Sequence, residues 1–221
     1  MNFLELCQDV RRECGVTGTG PAAVTSQTGE MQNIVKWTNK AYIDICNRWF
    51  NWKFLWAQKT IAVQQGIALY SEADIGIWDK RTFYLNGEPL NVIEYEQAVR
   101  DGWTVDTNES TPDTVVLMPD GQLKLSPVPD ASYSLTADCF IEASEMASNN
   151  DQPLIPARFH EVIVARAMIY YGSFEDAPEV KQEGAERFSI AIEQLESHQL
   201  PDDGNSSQVN TGGDAIVVVP Q

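Results

Sequence analysis

The chain has 221 residues, 43% of them hydrophobic and 21% charged, which suits one globular domain or two small ones with a real core. Asp and Glu outnumber Lys and Arg by 32 to 15, a formal charge of −17, and a field of that sign argues against a surface built to grip nucleic-acid phosphates. Cys7, Cys14, Cys46 and Cys139 form no C-x-x-C pair or metal-ligand cluster, no signal-like segment precedes residue 20, and no apolar run approaches membrane-spanning length, so synthesis in a reducing cytosol is expected.

Apolar residues first recur at helical spacing in Phe3, Leu6, Cys7, Val10 and Cys14, and Gly15 ends that stripe. A Gly/Thr/Pro connector runs to Gly29. A second helix follows on Ile34, Trp37, Ala41, Ile45 and Trp49, with Thr28 as its expected cap and Glu30 in the first turn, where the helix dipole favours an anion.

From about Trp56 the period changes to two. Short strands are expected at 60–63, 82–85, 90–93, 114–118, 122–125 and 133–137, with turn chemistry at Asn86-Gly87, Asp120-Gly121 and 127–130. Asp120-Gly121, between two apolar runs, is the clearest hairpin. The period then returns to 3.6: Pro156 opens a helix with Phe159, Val162, Ile163, Ala167, Ile169 and Tyr170 inward, and Gly172-Ser173 break it. Pro178 opens a last helix with Val180, Gly184, Phe188, Ile192 and Leu195 in register. The resulting expectation is an α+β fold: a helical bundle formed from the N- and C-terminal helices, a central antiparallel β insertion and an extended C-terminal arm. The corresponding units are 1–55 with 150–200, then 56–147, then 202–221.

The arm has two parts. Residues 202–214 are Gly/Asn/Ser/Asp-rich and cannot bury enough apolar surface to offset their ordering entropy. Ala215, Ile216, Val217, Val218 and Val219 then read as a β-branched strand stopped by Pro220. A tether ending in a strand can reach a neighbour and add to the edge of its sheet.

Charge is uneven along the chain. Residues 1–55 hold six Lys/Arg against five Asp/Glu, residues 56–146 five against fifteen, and residues 147–221 four against twelve. Most of these carboxylates serve solubility; a narrower reading is an acidic lining around a passage through which DNA slides without sticking.

Chemistry-bearing constellations are weak. The run G-V-T-G-T-G at 15–20 follows a helix rather than a strand and no Gly-Lys-Ser/Thr comes after it, so it fails as a phosphate loop. His160 and His198, the two histidines, lack ligands at metal spacing, and His160 beside Glu161 suits the polar side of a helix. Glu94 with Glu96, or Asp74 with Asp79, could serve as a carboxylate pair, Glu94 and Glu96 by facing one way on a strand. A solvated face explains them more simply, and neither catalysis nor a cofactor is indicated.

Four of the six tryptophans, Trp37, Trp49, Trp52 and Trp56, fall within twenty residues. The stretch Trp49, Phe50, Trp52, Phe54 and Trp56 holds more aromatic surface than one helix end hides. It reads as the buried joint between helices and β module, or as an interface between subunits, where aromatics supply rigid area. Stacking on single-stranded nucleic acid is disfavoured by the charge.

Four segments together resemble the head–tail adaptor (connector) proteins of tailed bacteriophages. They are Met1–Gln8 with the loop ending Gln27-Thr28-Gly29-Glu30, then Ile34-Val35-Lys36-Trp37, then Trp52-Lys53-Phe54-Leu55, and most specifically Pro153–Ile163 followed by Ala165 and Ala167. The resemblance spans nearly the whole chain and rests on packing and turn residues. It implies a non-enzymatic homo-oligomeric ring, a dodecamer, under the portal protein at the virion neck, assembled in the host cytoplasm without membrane contact. Helices would form the ring body, the β module would project, and the arm at Ala215–Val219 would dock on the portal. Downstream tail or nozzle proteins would bind below, and genomic DNA would pass without specific binding. The competing readings are a small phage enzyme such as a cell-wall glycosidase, and a β-rich module binding carbohydrate or protein with Trp78 and Trp103 as platforms.

Overall fold

The structure, a computed structural model, describes residues 1–100 and 108–201. Helix α1 (Phe3–Glu13) starts in a reciprocal cap: the Asn2 side chain accepts the Glu5 N–H at 2.8 Å while the Asn2 N–H donates to the Glu5 carboxylate at 2.9 Å. The connector behind it is pinned rather than loose. Arg11 donates to the carbonyls of Val16 and Gly18, Gln8 reaches Pro21, and Val16 and Val24 are buried. Helix α2 (Gly29–Cys46) begins without the expected cap bond from Thr28; Glu30 instead accepts from the Tyr171 hydroxyl at 3.1 Å. A 3-10 turn, Lys53–Leu55, ends the first helical stretch.

The β region is mixed rather than wholly antiparallel. Its elements are β1 (Trp56–Val63), β2 (Leu69–Tyr70), β3 (Ile75–Trp78), β4 (Tyr84–Leu85), β5 (Glu88–Pro89), β6 (Asn91–Glu94), the short helix α3 (Tyr95–Arg100), β7 (Glu109–Ser110), β8 (Thr114–Leu117), β9 (Leu123–Ser126), β10 (Val128–Pro129) and β11 (Tyr133–Ile141). In the larger sheet β11 is central, antiparallel to β1 along all eight residues and flanked on its other side by β3 and β4. A second sheet runs β2-β9-β8-β6, with β6 parallel to β8, and β7 pairs parallel to β10. Parallel strands need a crossover rather than a hairpin, and α3 and β7 lie in the chain between β6 and β8.

Both expected turns form, the first with two residues between its paired ends and the second with three. Asn86 and Gly87 have φ of 48° and 91° between β4 and β5, the left-handed pair that the tightest hairpin turns require. Gly121, with φ 82°, closes β8 on β9, where Met118 and Gln122 pair through the backbone. The strand expected at 82–85 is shorter than its composition suggests. Thr82 directs both its N–H and its hydroxyl to the Asp79 carbonyl, so extended pairing starts only at Tyr84.

After a 3-10 turn at Ala157–Phe159, α4 (Glu161–Phe174) and α5 (Pro178–Gln199) form an antiparallel pair. Gly172 and Ser173 do not break α4, which continues to Phe174. Two glycines let the helices approach: a Cβ on Gly184 would come within 2.9 Å of the Met168 Cβ, and one on Gly172 would strike the α5 backbone. α4 also packs on α2 and α1. One apolar cluster draws from α1, α2, α4, α5 and Trp52, with Leu6, Ile34, Ile163 and Leu195 fully buried. A second, around Phe83, Val115, Leu125 and Leu135, lies within the β region.

Candidate interaction surface

The aromatic run splits into an inward and an outward half. Trp52 is fully buried, donates its indole N–H to the Ile45 carbonyl at 3.1 Å and stacks on Phe54 at 5.2 Å. Phe54 packs against the helical cluster. These two form the buried joint. Trp49, Phe50 and Trp56 face out, at 42%, 63% and 52% exposure. Their orientation follows from the chain path: α2 ends at Cys46, and the turn that brings Trp52 back under the helix end carries its neighbours to the surface.

Trp49 is nonetheless held. A single Glu196 oxygen on α5 accepts from the Trp49 indole at 2.9 Å and from the Arg48 guanidinium at 2.6 Å. The ring is thus presented in one orientation, so little side-chain entropy remains to be lost on contact with a partner.

Trp56 opens β1, and the sheet continues its surface. Trp56 stands opposite Phe140, and Phe140 opposite Ile77, so the three form an apolar row across β1, β11 and β3. Ile77 is 41% exposed and Phe140 half-buried. Covering one such half-exposed aromatic is worth on the order of 2 kcal/mol. Trp56 is one of the interface candidates read from the sequence; Ile77 and Phe140 join it only through register, which a single strand does not encode.

The alternative chemistries lose their geometry. Glu94 ends β6 while Glu96 lies in the first turn of α3, so strand alternation no longer aligns them, and Glu94 is ion-paired with Lys80. Asp79 is chelated by Arg81 at 2.9 Å and 3.0 Å, which holds its carboxyl below the usual range, the direction opposite to that of a general acid. Its partner Asp74 has φ 61° at the mouth of β3 and accepts the Glu142 N–H through its backbone carbonyl.

His160 is not on a polar helix face. It is buried, with Nε2 at 2.9 Å from the Ile155 carbonyl and Nδ1 at 3.0 Å from the Met1 amino group, and burial pushes its pKa down. Trp78 is also buried, against Phe83, and cannot serve as a platform; Trp103 lies outside the described residues. Burial raises the thiols of Cys7, Cys14 and Cys46 to about 12, which leaves them unreactive.

Among the described residues no cluster of three or more His, Cys, Asp or Glu could hold a metal ion, and no helix is long and apolar enough to cross a membrane. A groove of about 470 Å³ runs between α2 and residues 145–147, where Asn39 clamps Met146 through both its N–H and its carbonyl at 3.1 Å. Asp44 at its rim is engaged by Arg166 and by the Tyr170 hydroxyl. The expected docking residues Ala215, Ile216, Val217, Val218 and Val219 lie outside the described residues.

Comparison with known proteins gives one family. A family model described as SU10 adaptor protein matches residues 1–212. No curated protein matches the chain.

Proposed function

Because this chain belongs to the SU10 adaptor protein family, a phage structural adaptor that interacts with other virion proteins, we propose that it forms the ring joining the portal of a DNA-filled head to the tail. The observation that carries the reading is the outward half of the aromatic run. Trp49, Phe50 and Trp56 are exposed aromatics of the kind that subunit contacts bury, and Trp56 stands in a row with Ile77 across Phe140, which itself packs against the helical cluster. The helical unit, 1–55 with 150–200, supplies the ring body; the unit 56–147 projects from it; the arm 202–221 reaches the portal. Twelve copies match the ring order that the adaptor resemblance implies. DNA passes through the centre past carboxylates, since the excess of acid falls in residues 56–221 and the N-terminal 55 are nearly neutral.

The deciding experiment is the particle mass of the purified protein with and without portal, by multi-angle light scattering and electron microscopy. Rings of adaptor bound to portal are expected. A monomer that ignores portal and clears cell walls would establish the glycosidase reading instead, and a monomer that captures a polysaccharide would establish the binding module.

A further inference from the structure

Among the described residues, strand β1 is an unpaired edge. Its eight residues pair with β11 on one side, and no strand lies on the other among the described residues. An unpaired edge presents N–H and C=O groups that can template another strand, so proteins keep such edges short, charged or interrupted by proline. The other edges here are managed in that way. β5 is two residues long and ends in Pro89, β2 has two residues, and β3 and β6 have four each. β1 is long, has no proline, and carries Lys59 as its one charge.

We propose that Ala215–Val219 of the same chain adds to this edge as a further strand while the protein is unassembled. Its sequence fits: five residues rich in β-branched side chains suit an apolar edge, and Pro220, lacking an N–H, ends the pairing. The point of departure fits as well. The described chain leaves α5 one turn beyond Glu196, whose carboxylate holds Arg48 and Trp49, and Trp49 is seven residues before β1 begins. Those seven residues span at most about 25 Å, whereas residues 202–214 reach roughly 43–47 Å when extended.

Chain connectivity then selects the arm's own edge over that of a second copy. A tether of this length holds its end at an effective concentration in the millimolar range, far above that of a dilute free protein. Alternate side chains of the added strand would lie beside Trp56 and cover part of its exposed ring. The self-paired arm keeps the edge from templating aggregation until a partner takes the arm away. This holds for the free chain whatever the arm later binds, so it stands or falls apart from the portal reading.

Amide hydrogen exchange of residues 56–63 is the test, in the full chain, in a chain ending at Pro201, and in full-length Val217→Pro. Either change is expected to speed exchange of the outward-facing half of the β1 amides at least tenfold, with α4 unaffected and no dependence on protein concentration. A Thr60→Cys, Val217→Cys pair should close a disulfide within one chain at micromolar concentration. Unchanged exchange in both variants overturns the inference. So does protection that grows with concentration, or a disulfide formed between chains, either of which makes a second copy the occupant. Val217→Pro retains the full chain, so it decides the question even if the truncated form fails to fold.

Discussion

A Cβ on Gly172 would lie 2.6 Å from the backbone nitrogen of Lys181, closer than side-chain carbons approach backbone. The last turn of α4 and the first of α5 are therefore in direct main-chain contact, and neither can retreat without opening the helix pair. Gly172→Ala should destabilise the fold by about 1–3 kcal/mol despite its favourable helix propensity, and Gly184→Ala, against Met168, by a similar amount. Urea unfolding that shows a lower midpoint at unchanged slope would bear this out; an unshifted midpoint would mean that the helices sit further apart.

The two halves of the aromatic run should separate cleanly under mutation. Trp52→Ala removes a fully buried ring and its bond to Ile45, a loss of about 3–5 kcal/mol. Trp49→Ala, Phe50→Ala and Trp56→Ala touch exposed surface and should each leave the melting temperature within a few degrees of the parent. The same three should reduce assembly of the proposed ring, read as particle mass. Assembly that survives the triple substitution would place the subunit contact elsewhere.

His160 supplies a pH dependence of known sign. Its folded pKa is depressed by burial, with the Met1 ammonium adding to the effect, so the unfolded chain binds the extra proton first. Stability is then fully present above the unfolded value of about 6.5 and falls as pH drops below it. In His160→Gln, which keeps an amide donor near Ile155, the fall between pH 7 and 5 should be shallower. Equal slopes in parent and variant would assign the loss to other groups.

Purified protein should not retard duplex DNA at about 150 mM salt, because the net charge of −17 repels phosphates at long range. Tight binding that weakens steeply with salt would contradict the proposed passage of DNA through the ring.

What could be read from the chain, and what could not, divides along physical lines. The amphipathic stripes of α1, α2, α4 and α5 and the turns at Asn86-Gly87 and Asp120-Gly121 are local signals, and each appears close to its expected place. Helix α3 and the parallel pairing of β6 with β8 are not legible there, since strand direction depends on the path of the connection rather than on composition. The split of the aromatic run is open from sequence alone; it is set by where Trp52 meets the end of α2. His160 reads as polar beside Glu161, yet its neighbours in space are Ile155 and Met1. Gly172 reads as a helix stop because its close contact with Lys181 is tertiary.

Strand β1 leaves the helices at Leu55 and β11 returns to them after Ile141, side by side, with Trp56 facing Phe140. A load drawing the two regions apart would therefore divide over two adjacent lengths of backbone and pull both strands in the same direction. The hydrogen bonds between them would be neither sheared past one another nor peeled open from one end. The join would then carry tension through covalent chain, and the sheet would feel little of it.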